Sequence, residues 1–143
     1  MTTLIEQAVE ATKDRQLAVN MFANSGHSLL SKLRAEFSLN GGEVREVATS
    51  LDDYGHAYRQ YGTAQIVSNY FKESGIPFTE NLPDPMVEHT ENIRKAALAT
   101  ISVLRELGCD SQDINFISDD LKKHGEAGRI LGNAEGILMV LKL

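Results

Sequence analysis

Three glycines, Gly128, Gly132 and Gly136, recur at every fourth residue near the carboxy terminus of this chain, in a stretch with the apolar spacing of a helix. A glycine inside a helix costs about 1 kcal/mol relative to alanine, so the helix needs compensating packing. Because glycine has no side chain, a second backbone can approach that face closely. The pattern therefore predicts a tight helix–helix contact, either within the chain or between subunits.

The helix predicted around these glycines also carries more apolar side chains than one neighbouring helix can cover in a small monomer. A second copy of the chain is the natural cover for them, with the acidic surface left outside. We therefore expect a homodimer or a higher closed oligomer. Its predicted interface contains Gly128, Gly132, Gly136, Leu131 and Leu138.

The rest of the chain also has helical spacing of apolar residues, and glycine, asparagine and proline interrupt it. Breaks are expected at Asn24-Ser25-Gly26, at Asn40-Gly41-Gly42 and at Gly125, and Gly62 is expected to kink or divide its helix. No segment alternates as a convincing strand, and only 43–49 could be read as one. The sequence thus predicts one all-α domain over 1–143, a bundle of about five or six helices. The predicted helices cover 2–22, about 29–37, 43–74, 85–107, 111 to Gly125 and from there to the end, with an extended, proline-containing connection at 76–84.

Composition restricts the class of protein. Hydrophobic residues are 42% of the chain and charged residues 24%, as in folded globular proteins. No apolar run approaches the roughly 18 residues that a membrane span requires, and the net charge of −6 disfavours nucleic acid as a partner. The single cysteine, Cys109, excludes an internal disulfide and fits a reducing compartment. We expect an acidic cytoplasmic protein that does not associate with membranes.

Motifs for common enzymatic chemistry are absent from the sequence. No glycine precedes a lysine, and the chain contains no G-x-G, G-x-S-x-G or Glu-x-x-His. Asp53 with His56, and Asp120 with His124, could share helix faces, but each pair supplies too few ligands for a metal and is interpreted as solvated. We therefore predict no catalytic residue, no metal and no cofactor, and we favour a protein that is not an enzyme.

The tyrosines form the clearest candidate binding site. Tyr54, Tyr58 and Tyr61 follow one another by steps of four and three, which makes one stripe, and His56 and Arg59 lie on neighbouring faces. Aromatic rings beside an arginine can stack on a planar ligand such as a nucleotide. The alternative is that the stripe continues the core side of its helix, with hydroxyls reaching the edge of the bundle.

Three functions follow from these patterns. The leading prediction is a small protein that acts through protein–protein binding, as an adaptor, an inhibitor or a regulatory subunit. The alternative is a nucleotide-like small ligand bound by the tyrosine and arginine stripe. A third is DNA recognition, since 44–51 resembles the first helix of a helix-turn-helix, although Asp52 and Asp53 stand where the turn should follow and would repel phosphates.

Overall fold

The computed structural model describes residues 3–141, and these form four helices without a strand. The predicted all-α fold is confirmed, but the predicted number of five or six helices is wrong. Thr2, Lys142 and Leu143, which the sequence places in the first and last helices, lie outside the described residues. The helices are α1 (Leu4–Phe37), α2 (Gly41–Glu73), α3 (Pro85–Glu106) and α4 (Ser111–Leu141).

Local signals set the helix ends. Asn40 and Glu43 form a capping box at the start of α2, each side chain accepting a hydrogen bond from the other residue's backbone amide at 2.9 Å. At the start of α3, the side chain of Asp84 accepts from the amide of Met86. Gly108, with a φ of 96°, follows the end of α3 in the left-handed region that glycine favours. The predicted helix at 85–107 therefore agrees with α3 to within one residue.

The predicted breaks at Asn24-Ser25-Gly26 and at Gly125 are wrong, because α1 and α4 run through them without interruption. These glycines lie where other helices press against them. A Cβ atom on Gly26 would lie 3.2 Å from the imidazole Cε1 of His124, and one on Gly125 would lie 2.8 Å from the ring of Tyr58. Packing at each contact offsets the low helix propensity of glycine.

Helix α2 also continues without division past Gly62, whose missing side chain leaves room for the backbone of Arg129. The same helix runs through Asp52 and Asp53, where a helix-turn-helix would require its turn. The structure thus lacks the element on which the DNA-binding interpretation depends.

The helices lie in the order α1, α4, α2, α3 across the bundle, so α4 and α2 form its central pair. The central helices run parallel to each other, and each outer helix runs antiparallel to the central helix it covers. Helices α1 and α2 make few contacts with each other. These directions follow from the pairs Arg15–Glu135 and Lys32–Asp120 for α1 and α4, Tyr54–Leu121 and Arg59–Glu135 for α2 and α4, and Ser68–Asp84 and Thr100–Ser50 for α2 and α3.

The two ends of the bundle are built differently. All four helices converge at the end that holds the α1–α2 and α3–α4 connections, which we call the leucine end. At the opposite end, which we call the open end, the outer helices flank the central pair and leave clefts on both sides. The buried cluster of the leucine end consists of Leu29, Leu33, Leu39, Val47, Leu51, Leu104, Cys109 and Ile117.

Candidate functional site

The glycine repeat of α4 lies against α2 of the same chain. A Cβ atom on Gly132 would overlap the carbonyl group of Arg59, and one on Gly128 would lie 2.8 Å from the carbonyl oxygen of Gly55. Gly136 is similarly close to Ile66. The predicted tight contact is therefore made inside the subunit rather than between subunits, because α2 occupies the space that a second copy would need.

The two apolar residues assigned to the same interface differ in burial. Leu131 is buried inside the chain, whereas Leu138 is half-buried. A second subunit could touch Leu138 but not Leu131. Self-association remains a prediction, and the glycine repeat does not support it.

The tyrosine stripe also packs within the bundle. The Tyr54 hydroxyl donates a hydrogen bond to the carbonyl oxygen of Leu121 at 3.1 Å, and burial raises the pKa of Tyr54. The Tyr54 and Tyr58 rings meet edge to face with centroids 5.1 Å apart, and the Tyr58 ring covers Gly125. Tyr61 is half-buried. Contacts with α4 thus occupy the first two tyrosines, which fits the packing alternative.

His56 and Arg59 lie on the other side of α2 and line a cleft of about 460 Å³. The structure therefore separates the five residues of the predicted ligand site into two groups on opposite sides of the helix. We call this cavity the α2–α3–α4 cleft, after the helices that line it. Its other lining residues are Gln60, Thr63, Ala64 and Val67 of α2, Pro85 and His89 of α3, and Glu135 and Met139 of α4.

An ion pair between α2 and α4 lines the α2–α3–α4 cleft. Arg59 donates to the Glu135 carboxylate through both Nε and Nη2, the second bond being 2.7 Å long, and Arg15 Nε lies 3.7 Å from the same carboxylate. The hydrogen bond from Arg59 holds the pKa of Glu135 below its usual range. Glu135 therefore stays ionised at neutral pH, facing two guanidinium groups.

Sequence reasoning missed Glu135, because its partners lie on two other helices. The available signal was that Glu135 is the only acidic residue after Glu126, in an otherwise apolar and glycine-rich helix. Two histidines also line the cleft. The Gln60 amide nitrogen lies 3.1 Å from His56 Nε2, and His89 Nδ1 is buried with no hydrogen-bond partner in the described part of the chain.

His124 was also missed as a buried residue, and it lies where α1, α2 and α4 meet. Its Nδ1 is 2.7 Å from Ser25 Oγ, and its ring stacks on Phe22 at a centroid distance of 4.9 Å. Gly26 and Gly55 leave the space for this ring. Burial lowers the pKa of His124, so the neutral imidazole is favoured.

The acid and histidine pairs considered from the sequence do not form metal sites. Asp120 instead pairs with Lys32 at 2.6 Å, while His124 turns to Ser25. Between residues 3 and 141, no cluster of three or more histidine, cysteine or acidic side chains is placed to hold a metal ion.

A second opening, which we call the acid-flanked groove, runs between α1 and α4 at the open end. Its volume is about 320 Å³, and Leu17 and Met21 of α1 stand exposed beside Ile137 of α4. Asp14 lies on its edge, and Glu10 precedes it by four residues on the same side of α1. The groove thus combines exposed apolar side chains with an acidic border.

Comparisons with known proteins give no relative: no family model, no curated protein and no solved structure matches this chain. None of the helices in the described part of the chain is both long enough and apolar enough to cross a membrane.

Proposed function

We propose that this protein acts by binding another protein, as an adaptor, an inhibitor or a regulatory subunit, and that the acid-flanked groove is its docking surface. The observation that carries the proposal is the exposure of Leu17 (63%) and Met21 (51%) beside Ile137. Large apolar side chains that cluster in a groove on a surface are typical of interaction sites.

The shape of the groove favours a helix as the docked element. Two packed helices, α1 and α4, form its walls, and its apolar residues Leu17 and Met21 are four residues apart. A partner helix with apolar residues at the same spacing can place them between these side chains. Burial of such residues contributes about 25 cal/mol for each Å² of apolar surface removed from water.

The acidic side chains beside the groove favour a basic partner. Glu6, Glu10 and Asp14 follow at four-residue spacing along α1, all of them exposed, and the whole chain carries a net charge of −6. An amphipathic helix with lysine or arginine beside its apolar stripe complements these acids. A second copy of this chain also carries a net charge of −6, so the groove favours a basic partner over self-association.

A nucleotide-like ligand bound by the tyrosine and arginine stripe has weaker support. It requires the faces of Tyr54 and Tyr58 to be open to a ligand, and both rings pack on other parts of the protein. His56 and Arg59 lie on the other side of α2, in the α2–α3–α4 cleft.

The proposal is tested by titration with two synthetic amphipathic helices that share one leucine stripe, flanked in one peptide by lysine and in the other by glutamate. We expect the lysine peptide alone to shift the NMR methyl signals of Leu17, Met21 and Ile137. Its affinity should fall as salt is added, because screening weakens the contacts with the acids. Leu17→Glu should remove binding. Leu98→Glu on α3 is the matched control, since Leu98 is similarly exposed at 53%.

Three results would overturn the proposal. The first is that neither peptide shifts these methyl signals, and the second is that Leu98→Glu weakens binding as much as Leu17→Glu does. The third concerns the predicted homo-oligomer and uses sedimentation over a range of concentrations. If the chain self-associates and Leu17→Glu alone makes it monomeric, the groove holds a second copy, and the choice of a basic partner is wrong.

A further inference from the structure

We propose that the α2–α3–α4 cleft binds a small organic anion, with its carboxylate near Arg59 and His56 and its apolar body against Val67, Pro85 and Met139. This site is separate from the acid-flanked groove, with which it shares no lining residue. Its volume of about 460 Å³ falls within the range of about 300 to 1,000 Å³ that is typical of small-molecule sites.

Polar and apolar residues are segregated along the cleft. On α2, His56, Arg59 and Gln60 come first, and Ala64 and Val67 follow about one to two turns later, towards the tip of the open end. Pro85 of α3 and Met139 of α4 line the same cleft and extend its apolar part. This order fits a ligand with one polar end and one apolar end.

Arg59 can bind an anion at the polar end. Its partner Glu135 also lies 3.7 Å from Arg15 of α1, which shares the negative charge of that carboxylate but does not line the cleft. Arg59 uses Nε and Nη2 on Glu135, and its Nη1 has no hydrogen-bond partner in the described part of the chain. A ligand carboxylate can accept from that nitrogen, and a hydrogen bond between two charged groups is among the strongest that proteins make.

The cleft wall also holds an incomplete polar group. Buried nitrogen and oxygen atoms in proteins nearly always have a hydrogen-bond partner. His89 Nδ1 is the exception among the buried side-chain atoms of residues 3–141, and His89 lines this cleft. The unsatisfied nitrogen is itself enclosed by protein, and it belongs to a side chain that lines the cleft.

The test uses the fluorescent anion 8-anilinonaphthalene-1-sulfonate as a probe, with octanoate and octylammonium as competitors of equal chain length and opposite charge. We expect octanoate to displace the probe and octylammonium to leave it bound. Arg59→Gln should weaken octanoate binding by about tenfold or more, the factor expected from loss of a charge-assisted hydrogen bond. Circular dichroism establishes that the variant is folded.

A second pair of variants keeps the test decisive if Arg59→Gln fails to fold. Met139 lies in the cleft and Met21 in the acid-flanked groove, and their exposures are nearly equal at 49% and 51%. Met139→Asp should abolish displacement by octanoate, whereas Met21→Asp should leave it unchanged. The proposal is overturned if millimolar octanoate does not displace the probe, if octylammonium competes equally, or if Met21→Asp has the effect expected of Met139→Asp.

Discussion

The leucine end and the open end of this bundle hold their helices together in different ways. At the leucine end, side chains such as Leu33 and Ile117 from all four helices fill a shared interior and are fully buried. At the open end, the backbones of α2 and α4 meet directly at Gly62 and Gly132. The outer helix α1 covers one side of this pair but leaves Leu17 in solvent.

The difference explains why both proposed binding surfaces lie at the open end. A glycine contact brings two backbones together but buries little apolar side-chain surface, so it provides less of the hydrophobic stabilisation on which most cores depend. The outer helices flank the central pair here, and an opening lies on each side of it. These openings are the acid-flanked groove and the α2–α3–α4 cleft.

The largest expected effect comes from adding a side chain at the glycine contact. Gly132→Leu would drive its side chain into the Arg59 carbonyl, which belongs to backbone that cannot move aside without displacing α2. We expect the free energy of unfolding to fall by more than about 4 kcal/mol, a loss typical of severe overpacking and broken helix contacts. Thermal unfolding followed by circular dichroism measures it. Gly41→Leu is the control, because a Cβ at Gly41 has no neighbour within 4 Å. Equal melting temperatures for the two variants would show that α2 and α4 are not held by this contact.

A smaller effect is expected from removing a side chain at the leucine end. Leu33 is fully buried, so Leu33→Ala should cost about 2 to 5 kcal/mol through lost burial and the cavity left behind. Leu17→Ala at the open end should change the free energy of unfolding by less than about 0.5 kcal/mol, because Leu17 is exposed. Urea unfolding of both variants compares the two ends directly. Similar losses would mean that Leu17 is covered in solution, as it would be by a second copy.

The sequence predicts the helices and their ends better than the contacts between them. Apolar spacing and the local signals at Asp84, Pro85 and Gly108 are sufficient to place helices and their ends, because each acts within a few residues. Whether a glycine breaks a helix or admits a neighbour depends on what packs against it. The sequence therefore predicts breaks at Gly26 and Gly125, although the residues that contact these glycines lie far away in the sequence.

The candidate sites show the same limit. Helical spacing correctly groups Tyr54 with Tyr58, but it does not reveal that α4 covers them. The Arg59–Glu135 pair joins residues 76 positions apart on different helices, and no local pattern predicts such a pair. The apolar surplus of the last helix and the absence of catalytic motifs favour a binding function in general, while the surfaces themselves depend on how the helices are arranged.

The smallest expected effect is the pH dependence that His124 confers where the two ends meet. His124 is 4% exposed and hydrogen-bonded to Ser25, and burial lowers its pKa from the ordinary value of 6.5. The unfolded chain therefore takes up a proton as the pH falls below about 6.5, while the folded chain does so only at lower pH. Stability is full above that pH and decreases below it, by at most about 1.4 kcal/mol for each pH unit. Nearby Asp52 opposes the shift without cancelling it.

Urea unfolding at a series of pH values between about 7.5 and 5.5, on either side of the ordinary histidine pKa, tests this expectation. His124→Gln removes the titrating group, so the fall in stability across that range should become shallower than in the unmodified chain. His27→Gln is the matched control, because His27 lies on α1 next to Gly26 but is exposed. If the control flattens the profile and His124→Gln does not, the junction between the leucine end and the open end is hydrated in solution. The water-free interior of the leucine end would then stop closer to Leu29 than to His124.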